Sequence, residues 1–253
     1  MAVPWNLSTE QWSDVLLRGA TPEHLASTLE RGPSLPWTDV VLKYTDESEK
    51  ILDLGSGRGE LSAALALNNR RATLLDWSED NISFSSSLFR GLGISGDFCR
   101  ADMTKPLPFK DGSFDAVFSC GVFEYFREQE ISAILKEAFR IARRRVIILV
   151  PNAASVAYRI GKWYMEKTGA WPWGGEVPSY TLKPYFRRLG CMEVVEFSVG
   201  AKHSLAFLKM PAGAIIRALC TRVLRVRDHS RPALLRQGYL LITIGEKTAS
   251  SRR

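Results

Sequence analysis

The stretch ILDLGSGRGELS, residues 51–62, constrains the fold more than any other part of the chain. Three glycines at alternate positions, Gly55, Gly57 and Gly59, follow an apolar run and precede a helix-forming one. A strand, a glycine turn and a helix in that order open a βαβ unit, and ligands of such sheets sit beyond the carboxyl ends of the strands. The dinucleotide fingerprint GxGxxG would need glycine at position 60, where the residue is Glu60. A carboxylate in the first turn also repels a pyrophosphate from the helix N-terminus. The pattern GxxxxGK[ST] is missing as well, so the turn is expected to receive a nucleoside without phosphates.

The pattern beyond residue 50 keeps alternating. Expected strands are Lys50–Leu54, Ala72–Leu75, Gly96–Arg100, Phe114–Ser119 and Arg145–Val150, with Met192–Val199 and Gly238–Glu246 near the end. Helices Glu60–Asn68, Glu79–Gly91 and Glu128–Ala142 fall between the first five. Short strands separated by helical patterns argue for parallel βαβ units with helices on both faces of one sheet. Ser78 is placed to cap the second of these helices. Residues 1–49 read as one or two helices, then a last one over Thr38–Tyr44 after Pro33 and Pro36. Trp5, Leu7, Trp12 and Leu16 there are expected to pack on the domain edge or cover a site. The chain divides into this helical segment, a core over 50–150 and a remainder over 151–253, all within a single structural domain.

Here the sequence resembles the class I S-adenosylmethionine-dependent methyltransferases, whose first motif is an acidic residue followed by xGxGxG. Asp53-Leu54-Gly55-Ser56-Gly57-Arg58-Gly59 matches it at every fixed position. Asp76 ends the second expected strand about twenty residues beyond the glycines, where an acid can accept both ribose hydroxyls. Ala101-Asp102-Met103 follows the third strand, and LPFKDGSFDAVFSCGVFEYF resembles the family's approach to the fourth. The resemblance covers residues 48–150 closely and the last two strands loosely. It implies a Rossmann-like sheet of seven strands, mostly parallel with an antiparallel last strand. It implies S-adenosylmethionine as cofactor, held by Asp53, Gly55, Ser56, Gly57, Gly59, Asp76, Trp77, Asp102, Met103, Cys120 and Gly121. In the family the acid at position 102 takes the adenine amino group, and Cys120 and Gly121 would flank the methionine part.

One departure bears on catalysis: many small-molecule members carry Glu-His after the fourth strand, and this chain has Glu124-Tyr125. The sulfonium methyl is already electrophilic, so a base is needed only for an acceptor that arrives protonated. Glu124, Tyr125, Glu176 and His203 are the candidates, each with a purely structural or substrate-contact reading open beside it. No metal-ligand spacing is present. Cys99, Cys120, Cys191 and Cys220 are far apart and form no CxxC pair, as expected of reduced thiols in a cytoplasmic protein.

The NPPY-like signature of amino-methylating nucleic-acid enzymes and the paired-glutamate loop of protein-arginine enzymes are absent, so the expected acceptor is a small molecule, a lipid or a glycan rather than a nucleic acid. Loops grafted on the sheet carry that choice. Insertions 151–190 and 201–237 are expected to form a cap, the first crowding Trp163, Tyr164, Trp171, Trp173 and Tyr180 together. A non-catalytic binding module and a nicotinamide oxidoreductase are the rival readings.

Charge is uneven. Residues 1–50 carry 4 basic and 8 acidic side chains, residues 51–150 carry 13 of each, and residues 151–253 carry 17 and 6. Segment 202–236 holds eight basic residues against Asp228, and 212–227 has the spacing of a basic amphipathic helix. Two readings of it stay open: a lid with its apolar face down, or an element docking on an anionic membrane surface. With no basic-plus-apolar leader and no 18-residue apolar run, the expected location is cytoplasmic, with attachment at the inner face of a membrane under the second reading.

Overall fold

The computed structural model describes residues 8–32, 34–191, 193–211, 213–219 and 237–247. Three helices lead in: α1 (Thr9–Leu17), α2 (Pro22–Arg31) and α3 (Pro36–Lys43). The alternating region follows as β1 (Lys50–Leu54), α4 (Glu60–Leu67), β2 (Arg71–Asp76), α5 (Glu79–Gly91), β3 (Asp97–Arg100) and β4 (Phe114–Cys120). A 3₁₀ turn, Phe123–Tyr125, then leads to α6 (Glu128–Ile141) and β5 (Ala142–Pro151). The last third holds α7 (Val156–Lys167), α8 (Lys183–Arg188), β6 (Val194–Val199), a short α9 (Ala201–Ser204) and β7 (Leu240–Glu246).

The seven strands form one sheet in the order β3-β2-β1-β4-β5-β7-β6. The first five are mutually parallel, and β7 runs antiparallel between β5 and β6. Chain order reverses between β1 and β4, which sets the ligand crevice at their carboxyl ends. Strand β1 shows why the sheet is covered on both sides. Ile51 joins a core cluster with α2, α3, α4 and α5, whereas its neighbour Leu52 joins one with α6 and α8, and both are fully buried. Each such side chain contributes about 1.5–3 kcal/mol by leaving water.

Local chemistry sets the helix starts that matter for the site. Ser78 caps α5 by accepting from the Asn81 amide. Gly59 opens α4 in the left-handed conformation (φ +76°), which only glycine adopts cheaply. The second insertion is described only in part. Of the amphipathic stretch 212–227, residues 213–219 are described and helical, and the rest lies outside the described residues. Ile215 and Leu219 are 68% and 63% exposed, while Arg217 is half-buried and donates to the Leu208 carbonyl. Over these residues Ile215 and Leu219 are turned outward.

Candidate active site

A cavity of about 460 Å³ opens at the carboxyl ends of β1, β2, β3 and β4. Its floor is the glycine turn, and its roof is Trp12 and Leu16 of α1. The Ser13 and Ser78 hydroxyls, 2.6 Å apart, tie α1 to the start of α5, so the leading helix is part of the site.

The three glycines do different work. Gly57 lies on the cavity wall, and a Cβ there would meet only Leu16 Cδ1 at 3.6 Å. A Cβ on Gly55 would lie 2.7 Å from Val122 Cγ2. One on Gly59 would lie 2.7 Å from Ser85 Cβ, and that residue is not on the wall. At Gly57 the missing Cβ leaves room for a ligand, whereas at Gly59 it lets α4 and α5 pack.

The turn is held by two acids. Asp53 is buried behind it and accepts from Ser62 Oγ at 2.7 Å; burial is the main reason that its pKa rises to about 7. Asp76 stands on the wall itself. Its Oδ2 accepts from the Gly57 amide (2.9 Å), and its Oδ1 accepts from the Ser78 amide (2.9 Å) and Asn81 Nδ2 (3.2 Å). Burial raises its pKa against these hydrogen bonds. One carboxylate thus locks the glycine turn to the start of α5, with a lone pair left for a ligand. Asp102 accepts from the Thr104 amide and hydroxyl through Oδ1 alone, so Oδ2 remains for the cavity that Asp102 lines.

Trp77, Ala101, Asp102 and Met103 lie toward the β2 and β3 end, and Cys120, Gly121, Val122 and Tyr125 toward the β4 end. Ser56 Oγ, also on the wall, is buried with no hydrogen-bond partner among the described residues. The wall carries the carboxyl groups of Glu60, Asp76, Asp102 and Glu130 against a single guanidinium, Arg58, which is paired with Glu60 at 2.5 Å. Such a wall repels a pyrophosphate and favours a cation. An orphan hydroxyl, a ribose-height acid and a net negative wall fit an adenosyl sulfonium.

Behind Gly121 lies a second buried constellation. Glu124 Oε1 is 3.6 Å from where a Gly121 Cβ would stand, and Glu124 Oε2 has no partner among the described residues. Its backbone carbonyl accepts from the Val177 amide at 3.0 Å, which brings in Glu176. Tyr158 of α7 donates its hydroxyl to Glu176. Both carboxyls are buried, Glu124 at 4% and Glu176 at 7% exposure. Burial first, then the Glu176 charge, pushes Glu124 well up; burial pushes Glu176 up to about 8. Such a pair holds a proton at neutral pH and releases it just above.

The other expected bases fare differently. Burial and the neighbouring glutamates raise the Tyr125 phenol far above its usual range, so it lines the cavity as a donor and not as a base. The same causes keep Cys120 a thiol. His203 sits on α9 with its ring 5.0 Å from that of Trp37, is not on the cavity wall, and has its pKa lowered by burial. Asn81, Tyr158 and Tyr239 escaped the sequence reading; Tyr158 and Tyr239, with ring centres 5.4 Å apart, wall the glutamate pair.

Residues 51–145 match the family model described as a methyltransferase domain. Over that stretch the chain is similar to a methyltransferase domain. S-adenosylmethionine is the cofactor that goes with that domain, and the cavity fits it. A Bacillus subtilis protein, YqeM, which bears a provisional methyltransferase name, is 28% identical over 148 residues, 56% of this chain and 57% of its own. The demethylmenaquinone methyltransferase of Clavibacter sepedonicus is 42% identical over 69 residues, 27% of either chain. The chain thus aligns with little more than half of the first of these relatives and about a quarter of the second. An S-adenosylmethionine-dependent methyltransferase structure from Archaeoglobus fulgidus superposes with a TM-score of 0.59 at 18% identity, covering 90% of this chain and 96% of that one. That likeness is one of fold.

Proposed function

We propose that this chain transfers a methyl group from S-adenosylmethionine to an oxygen or nitrogen of a small-molecule, lipid or glycan acceptor, and that the Glu124–Glu176 pair takes the acceptor's proton. The observation that carries this reading is the buried carboxyl pair immediately behind Gly121, at the end of the cavity beside β4. When bound, the cofactor supplies an electrophilic methyl group.

The chain's own work is positioning and proton transfer. Asp76 and Asp102 fix the nucleoside end, and Trp12 and Leu16 close the roof against water. Gly121 lines the cavity and Glu124 does not; a Cβ on Gly121 would stand 3.6 Å from Glu124 Oε1, so an acceptor hydroxyl or ammonium at the β4 end would reach the carboxyl past Gly121. The acceptor's O–H proton would pass to the ionised glutamate pair as the methyl group leaves the cofactor's sulfur, and an ammonium would give up its proton first, since its nitrogen has no lone pair until then. A buried carboxyl with a raised pKa is a stronger base than an ordinary glutamate once ionised, and Glu176, raised to about 8, ionises just above neutral pH. Tyr158 steadies Glu176 by its donated hydrogen bond.

The test is transfer of a radiolabelled methyl group into fractionated cell extract by the full chain, with partition of the label between organic and aqueous phases. The reading expects label in an acceptor, and a loss of about 10²–10⁴-fold in rate for Glu124→Gln with cofactor affinity within threefold. Tight cofactor binding with no labelled acceptor in any fraction would favour the non-catalytic module.

A further inference from the structure

Helix α7 has two apolar faces and only one of them is used. At 100° per residue and with Val156 at zero, Gly161, Met165 and Tyr158 fall at about 140°, 180° and 200°. That face is buried: Gly161 packs against the Phe207 carbonyl, where a Cβ would come within 2.3 Å, and Tyr158 reaches Glu176. Trp163, Val156 and Ile160 fall at about 340°, 0° and 40°, an arc of about 60° on the opposite side. They are 58%, 57% and 44% exposed. An amphipathic helix keeps its polar residues outward, so a second apolar stripe facing water needs a partner.

The exposure is concentrated. Of the twelve large hydrophobic side chains exposed among the described residues, eight lie in the two insertions. Val177 shares a surface groove with Ile160 and Trp163, and Tyr180 a few residues on is 70% exposed. Ile215, Ile216 and Leu219 extend the set on the helical segment 213–219, which is tied to Leu208 by Arg217. Helix α7 and this segment therefore flank the same stretch, 205–208.

Charge identifies the partner. Within α7, Lys167 falls in the stripe at about 20° and Arg159 beside it at about 300°. The nearest acid, Glu166, is already paired with Lys162 at 2.6 Å. The described residues of the insertions carry nine basic and two acidic side chains, and one of those acids, Glu176, is buried. A tryptophan and a tyrosine beside aliphatic residues, with Arg159 and Lys167 alongside the stripe, match the headgroup region of an anionic bilayer. No helix among the described residues is long and apolar enough to cross a membrane.

We propose that the outer face of α7, with Val177, Tyr180 and the segment 213–219, docks the protein on an anionic lipid surface. The inner face of the same helix steadies Glu176, so docking would hold the acceptor pocket at the bilayer. On the methyltransferase reading, that makes the acceptor an amphiphile, a lipid or a lipid-borne glycan, that the enzyme takes from the membrane.

The test is sedimentation of the full chain with phosphatidylcholine vesicles containing phosphatidylglycerol, at low and high salt, with S-adenosylhomocysteine affinity measured calorimetrically on each preparation. The wild type is expected to pellet at low salt and to be released at high salt. Ile160→Ser with Trp163→Ser, both at exposed positions, should lower the bound fraction about tenfold and leave cofactor affinity unchanged. Arg159→Glu with Lys167→Glu should do the same by charge alone, at about tenfold in partition for each 1.4 kcal/mol lost. Failure to pellet at low salt, or pelleting that both variants leave intact, overturns the proposal. So does a wild-type dimer that Ile160→Ser with Trp163→Ser dissociates, since the stripe would then be a protein interface. Cofactor binding without vesicle binding would refute the docking surface alone and leave the methyltransferase reading standing.

Discussion

Replacing Glu176 by glutamine should change how the stability of the protein depends on pH, by an amount that follows from the burial of the pair. In the folded chain the Glu176 carboxyl is raised to about 8 from an ordinary value near 4.5. Between those values the folded state holds a proton that the unfolded state has released. Stability is therefore full below about pH 4.5, falls as pH rises, and levels off above about 8. The slope approaches 1.36 kcal/mol per pH unit, or about 2–3 kcal/mol between pH 6 and 8. For a chain of this size that is about 4–10 °C in melting temperature. Glutamine keeps an oxygen to accept from Tyr158 and cannot ionise. Glu124 and Asp53 remain buried and raised, so the variant's slope is reduced rather than abolished. Thermal melts of both proteins across pH 5–9 measure the difference. If the two lose the same melting temperature between pH 6 and 8, Glu176 does not carry the proton assigned to it.

Three further outcomes follow from the site. Asp76→Ala removes an acid that already accepts three hydrogen bonds, so it should weaken S-adenosylhomocysteine binding by about a hundredfold and also lower the melting temperature, whereas Asp102→Ala should weaken binding less; calorimetry giving the reverse order would refute the ribose and adenine assignments. Gly55→Ala places a Cβ against Val122 in a backbone with φ +77°, and should cost about 1–3 kcal/mol in a denaturant melt; an unchanged midpoint would show that the turn is slack. If the glutamate pair is the base, the methyl-transfer rate rises with pH through the neutral range up to about 8; a flat profile for a hydroxyl or amine acceptor would remove the pair from the reaction.

The β1 turn was legible because its signal is local: an apolar strand, left-handed glycines and a helix within twelve residues. The cap of α5 by Ser78 was legible for the same reason. What each glycine does was not, because the partners of Gly55 and Gly59 are Val122 and Ser85, brought by other strands and helices. The glutamate pair was half-visible. Glu124 and Glu176 could be named as candidates, but they are 52 residues apart, and their meeting, like the Tyr158 hydroxyl bonded to Glu176, depends on how the first insertion folds back. That insertion also divides an aromatic cluster that composition alone presents as one: Trp171 packs inward on Tyr158 and Phe207, Trp173 lines the cavity, and Trp163 and Tyr180 face out. Helical periodicity gave two faces over 212–227 but not that Ile215 and Leu219, within the described 213–219, turn to water.

The central claim is that the glycine turn of β1 receives an adenosyl sulfonium and not a dinucleotide, because the wall around it sets four carboxyl groups against one paired arginine. Calorimetric titration of the full chain with S-adenosylhomocysteine, and separately with NAD, tests it most directly. Saturable heat is expected with one equivalent of S-adenosylhomocysteine, at about a hundredfold weaker affinity in Asp76→Ala, and none with NAD. Heat with NAD alone, or with neither ligand, would contradict it.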